Sequence, residues 1–109
     1  MKRGDVVIVS ASGDYGKPRP AIVVQTDALV AADGSVILCQ LTSELREFLE
    51  FRPTVEPSAQ NRLQLRSQIM ADKPVTVRRH RIRQTVGRLA TEDMRRLDTA
   101  LAFVLGLAE

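Results

Sequence analysis

Tryptophan is absent from this chain of 109 residues, and its aromatic side chains are only Tyr15, Phe48, Phe51 and Phe103. Domains that grip nucleic-acid bases by stacking display aromatics in pairs, so a stacking platform is not evident, and Phe51 and Phe103 read as core. A single cysteine, Cys39, excludes an internal disulfide and a cysteine-rich zinc site; within Val36-Ile37-Leu38-Cys39 it reads as a small core residue. The single histidine, His80, sits inside Arg78-Arg79-His80-Arg81 and reads as an exposed member of a basic turn. With no second His or Cys at ligand spacing, no metal site is expected. No apolar run approaches the roughly 20 residues of a membrane helix. Met1-Lys2-Arg3-Gly4 leads straight into a strand rather than into a signal-peptide core, so a cytoplasmic protein with no membrane partner is expected.

Acid is nearly missing from one segment. Between Arg62 and Arg88 stand Arg62, Arg66, Lys73, Arg78, Arg79, Arg81, Arg83 and Arg88 against Asp72 alone. The whole chain has a formal charge of +3, so the remainder is net acidic and positive potential is concentrated in this block. Such asymmetry suits a polyanion or an acidic peptide, although a solvated basic face has the same composition.

Hydrophobic residues at 44% and charged residues at 27% fit a single globular domain over 1–109, with one core. Asp5 to Ser10, Pro20 to Gln25 and Ser35 to Leu41 are β-rich runs, the third following the turn signal Asp33-Gly34. Thr42 to Glu50 reads equally as a helical turn or a long loop. Alternation predicts strands over Phe51 to Glu56 and Leu63 to Met70, then Val75 to Val77 and a short run Ile82 to Leu89 bent at Gly87. Thr91 to Leu105 predicts a helix, with Thr91 as N-cap, Glu92 and Asp93 in the first turn, and Gly106 as its stop. Its apolar face is Met94, Leu97, Leu101, Val104 and Leu105. The sum is a mainly β fold with a C-terminal α-helix, a small antiparallel barrel or strongly bent sheet with the helix docked on it.

One arginine is conspicuous by its backbone. In Pro18-Arg19-Pro20 the prolines stiffen the chain and bias Arg19 towards extended geometry at the mouth of the second strand. A planar, permanently charged guanidinium held there suits a phosphate or carboxylate. The alternative is a stiffened turn with Arg19 solvated.

The ordered set Met1-Lys2-Arg3-Gly4-Asp5-Val6-Val7, Gly16-Lys17-Pro18-Arg19-Pro20-Ala21-Ile22-Val23-Val24-Gln25, Leu41-Thr42-Ser43 and Val86-Gly87-Arg88-Leu89 resembles the MazF/PemK toxins of bacterial toxin–antitoxin modules, over almost the whole length. The resemblance implies an SH3-like barrel of the MazF/CcdB type and a homodimer. It implies an endoribonuclease (mRNA interferase) that needs no metal or other cofactor and cuts single-stranded RNA at short sequences. It also implies inhibition by a small, acidic, partly disordered cognate antitoxin. Carried over residue by residue, Arg19 matches the family's strand-opening arginine and Thr42 its active-site threonine. Cleavage by the 2′-hydroxyl needs a proton acceptor, a proton donor and stabilisation of the phosphorane charge; Arg19 is assigned the stabilisation and Thr42 a phosphate oxygen. Thr42 could equally cap its own loop.

Candidate substrate contacts are Arg66 on a phosphate, Gln68 on a base edge, Tyr15 stacked on one base, and Lys17 beside Arg19. Many members carry Asp-Gln where this chain has Ser67-Gln68, which leaves the general base unassigned. That departure keeps open a CcdB-like toxin that binds gyrase without catalysis. The basic block keeps open a nucleic-acid-binding regulator.

Overall fold

The computed structural model describes residues 1–10, 17–29, 34–47 and 50–108. Tyr15, expected to stack on a base, lies outside them.

Strands β1 (Asp5–Val9), β2 (Arg19–Val23) and β3 (Ser35–Thr42) form where β-branched and apolar residues run almost unbroken. A strand with one wet face alternates in polarity; these do not, because both of their faces are covered. Val6, Ile22, Cys39 and Leu41 pack into one cluster under the helix, with Ile69 and Leu97. Their strand neighbours Val7, Val9, Ala21, Val23, Val36 and Leu38 pack into a second cluster on the opposite side. Cys39 is fully buried, and burial pushes its thiol up to about 11, an inert core group.

The remaining strands are β4 (Thr54–Val55), β5 (Ser67–Ile69), β6 (Val75–Arg78) and β7 (Ile82–Arg88). Among the described residues they form one antiparallel sheet in the order β4-β5-β3-β2-β1-β7, with β6 beside the start of β3. Register shifts at Val6/Val7 and Ile8/Val9, where β1 meets β7, are bulges that raise the local twist and help the sheet curl into a half-barrel. The expected small antiparallel barrel with a terminal helix is therefore what the chain forms.

Several boundaries differ from the sequence expectation. The strand expected over 63–70 shrinks to Ser67–Ile69, because Arg62 takes a left-handed φ of 61° and turns the chain away from the ladder. The strand expected over 51–56 shrinks to Thr54–Val55. Conversely, β7 is not short: it pairs with β1 from Ile82 to Arg88. Gly87 does not end it but serves a close approach. A Cβ there would stand 2.5 Å from the Asn61 carbonyl oxygen and 2.7 Å from that of Gln60.

Helix α1 (Thr91–Val104) lays fully buried Leu97 and nearly buried Ala100 on the sheet, with Met94 and Leu101 beside them. Ala90, extended and without a side-chain cap bond, is the N-cap, so Thr91 falls one residue inside the helix. Glu92 and Asp93 still face the positive helix end. At the other end Gly106 takes φ 74°, and the Leu107 N–H donates to the Ala102 carbonyl at 2.8 Å, a Schellman closure. Phe103 is not core: it is 54% exposed. It lies about 120° round the helix from Leu97, outside the apolar stripe. Leu105, in the helix's closing turn, is exposed as well.

The segment before β4 is fastened to the turn after β5 by a two-pronged ion pair. Arg52 Nε donates to Asp72 Oδ1 at 2.9 Å and Nη2 to Oδ2 at 3.1 Å, both side chains being largely buried. This hydrogen bonding holds the Asp72 carboxyl below the usual carboxylate range. A depressed carboxylate contributes stability above its unfolded pKa and loses it as pH falls through its folded one. Arg52→Ala is expected to cost about 1.5–3 kcal/mol at neutral pH, as for hydrogen bonds to charged groups. The deficit against the unsubstituted protein should shrink below about pH 4, where the unfolded aspartate gains its proton. Urea melts of both proteins from neutral pH down to strong acid check this; a deficit independent of pH would deny the pair its electrostatic role.

Candidate active site

The site begins where a ladder stops. The last β2–β3 partners are Ala21↔Gln40, and from Leu41 onward β3 pairs with β5 instead, as Leu41↔Ile69 and Thr42↔Gln68. Pro20 has no N–H to carry the β2–β3 ladder a step further, and a proline in an inner strand is tolerated only at such a margin. The two strands part at this point, and a cleft of about 1090 Å³ opens between them. Pro18, Arg19 and Pro20 form one wall, and Leu41, Thr42, Ser43 and Glu44 another. Counted on from Ala21↔Gln40, Arg19 and Thr42 stand at corresponding positions of the two strands.

Val6, Ile8 and Val86 make an apolar floor, with the Gln84 amide on the same strand face as Val86. The loop ahead of β5 closes the remaining side with Ser58, Arg62, Leu63 and Gln64. Among the described residues, Glu44 is the one acid lining the cleft, which Arg19 and Arg62 also line. The Arg19 side chain makes no hydrogen bond or ion pair with the described residues. Thr42 Oγ1 accepts the Glu44 N–H at 3.1 Å. The self-capping turn is thus formed, and the hydroxyl hydrogen is still free to donate. Among the described residues Glu44 forms an open ion pair with Arg46 at 3.7 Å, which holds it weakly, and its charge also acts on Arg52.

Lys17 is exposed one residue ahead of Pro18, beside this wall. Arg66 and Gln68 fall in a neighbouring depression with Arg46, Arg52 and Arg96. There Arg66 is paired with Glu56 at 2.7 Å. The Gln68 amide is spent on the main chain of Arg46, accepting its N–H at 3.0 Å and donating to its carbonyl at 2.8 Å. Gln68 thereby braces the 43–47 segment that carries the Thr42 wall. Ser67 lines the cleft from below, but its hydroxyl donates to the Leu65 carbonyl. His80 is exposed in the single turn Arg79–Arg81, as its basic surroundings implied. No group of three or more His, Cys, Asp or Glu side chains converges among the described residues. Among the described residues no helix is long and apolar enough to cross a membrane.

Sequence reasoning passed over Glu44 and Arg62. Glu44 was one of several charges in a segment without clear periodicity, and Arg62 one of eight basic residues. The available signals were that Glu44 lies two residues past Thr42, and that Asn61-Arg62 follows the turn-forming Pro57-Ser58.

Fold and cleft together define the class, a curled antiparallel half-barrel with one C-terminal helix and an arginine at the margin where its strands part. The chain belongs to the PemK-like, MazF-like toxins of type II toxin–antitoxin systems, whose sequence model matches residues 2–105. It is 39% identical over 109 residues to a probable endoribonuclease MazF of Mycolicibacterium smegmatis, covering 99% of each chain. Among solved structures, a mycobacterial endoribonuclease in complex with its cognate antitoxin superposes with a TM-score of 0.80 at 24% identity, over 100% of this chain and 98% of that one. A MazE–MazF complex from Deinococcus radiodurans superposes at 0.79 with 20% identity, over 99% of this chain and 98% of that one. At these identities the structural likeness speaks for the fold.

Proposed function

We propose that this toxin is a metal-independent endoribonuclease that cuts single-stranded RNA by attack of a 2′-hydroxyl on the adjacent phosphate. The observation that carries the reading is the opposition of Arg19 and Thr42 across the parted strands, in one cleft with Glu44. Arg19 stabilises the charge of the phosphorane, and the Thr42 hydroxyl donates to a phosphate oxygen. Glu44 accepts the 2′-hydroxyl proton as the 2′-oxygen bonds to phosphorus and the bond to the 5′-oxygen breaks. Water admitted by the open cleft returns a proton to the departing 5′-oxygen. The products are a 2′,3′-cyclic phosphate and a 5′-hydroxyl. By kinship with proteins solved in antitoxin complexes, the chain works as a cytoplasmic homodimer restrained by a small acidic antitoxin.

Incubation with a defined single-stranded RNA in EDTA tests this. Cuts at a recurring short sequence with cyclic-phosphate and 5′-hydroxyl ends are expected. Intact RNA, or ends bearing a 5′-phosphate and a 3′-hydroxyl, would overturn the reading.

A further inference from the structure

Arg62 is held in a way that nothing in the fold requires of an arginine. Its φ of 61° is the left-handed region, where Gly and Asn are at ease and a long side chain is strained. The turn that imposes this conformation is built by other residues. Asn61 Oδ1 accepts the N–H groups of Ser58 and Leu63, its amide donates to the Glu56 carbonyl, and Ser58 Oγ accepts the Asn61 N–H. Arg62 adds only its backbone N–H, given to the Ser58 carbonyl at 2.9 Å.

The same turn is clamped to the barrel. The Arg88 N–H donates to the Gln60 carbonyl at 2.9 Å, and the bare Gly87 lets the carbonyls of Gln60 and Asn61 press onto β7. The Arg62 backbone is therefore anchored as firmly as a strand residue. Its side chain lines the cleft, is exposed, and makes no hydrogen bond or ion pair with the described residues. Three other members of the basic block do have partners: Arg66 pairs with Glu56, Arg88 with Asp5, and Arg81 donates to the Ser10 carbonyl.

Strain kept at a cleft-lining position, with the strained side chain unpartnered among the described residues, points to a partner that arrives from outside. Resting on the ribonuclease reading above, we infer that Arg62 is a substrate-binding residue, a second guanidinium that grips a phosphate of the RNA next to the one held by Arg19. It sets where the strand lies in the cleft without reading sequence, since a phosphate contact carries none.

Arg62→Gly in the full-length chain separates function from structure, because glycine takes the left-handed conformation freely. Its thermal midpoint should equal or exceed that of the unsubstituted protein. Binding is read with a random-sequence 2′-O-methyl RNA oligonucleotide, which cannot be cut by 2′-hydroxyl attack. Affinity should fall about tenfold near 0.1 M salt, and the slope of log K against log salt should become shallower by about 0.7, one phosphate contact on a single strand. Arg62→Lys should restore the slope with part of the affinity, since it keeps the charge and loses the fork. Unchanged affinity and slope in Arg62→Gly, beside an unsubstituted protein that binds and cuts RNA, would overturn the assignment and leave the ribonuclease reading standing. A lowered midpoint with an unchanged slope would make Arg62 structural and overturn it too. An unsubstituted protein that neither binds nor cuts RNA would bring down both.

Discussion

Arg19→Ala is expected to lower the turnover of RNA cleavage by about 10³-fold, in the range found when a single group that stabilises transition-state charge is removed. The loss should appear in kcat, because the charge that Arg19 offsets grows as the phosphorane forms. Folding should be untouched. Arg19 is exposed at the start of β2, its side chain bonds to none of the described residues, and the flanking prolines keep the backbone extended without it. The thermal midpoint should therefore stay within the scatter of ordinary surface substitutions. Arg19→Lys should recover only a fraction of the rate, since an ammonium offers a point charge where a two-pronged donor fits. Full cleavage by a folded Arg19→Ala protein would remove this residue from the chemistry. Growth arrest persisting in cells that express such a protein, with RNA intact, would point instead to a toxin that acts by binding.

Glu44→Gln is the second large expected effect, a loss of about 10²- to 10⁴-fold, as for other positioned general bases. Glutamine keeps the size and polarity of the side chain but cannot accept the 2′-hydroxyl proton. KM should barely move, which distinguishes this variant from Arg62→Gly, whose effect lies in binding. Because Glu44 is exposed and its pair with Arg46 is an open one, its replacement should barely move the unfolding curve. Residues that act as a unit are not additive, so the Arg19→Ala/Glu44→Gln protein should be scarcely slower than the worse single variant. Full activity in Glu44→Gln would move the proton acceptor off the 43–47 wall.

These expectations rest on positions that the sequence disclosed unevenly. The strands β1 to β3 were legible because their unbroken apolar runs state that both faces are covered, and α1 because its stripe and Gly106 are local signals. Where the pattern misled, a distant contact had overruled it. Leu63 to Met70 alternates like a strand, yet the turn built by Ser58 and Asn61 diverts its first half to the cleft. Gly87 looked like a bend and is instead the place where another loop's backbone needs room. Ser67, which departs from the Asp-Gln pair that the family resemblance implies, left the base unassigned. The cleft nonetheless holds a carboxylate, Glu44, on the wall that carries Thr42.

What the sequence by itself determined is what depends on neighbours in the chain: two-sided burial of the inner strands, the terminal helix, the stiffened backbone of Arg19, and, through an ordered set of short motifs, membership of the toxin family. What only the tertiary structure decided is which distant side chains share a space. Antiparallel register sets Arg19 opposite Thr42, the donor missing from Pro20 lets their strands part, and a clamped left-handed turn delivers Arg62 to the same opening. Local periodicity records which face of an element is dry. It cannot record where a ladder ends, because that depends on two strands at once.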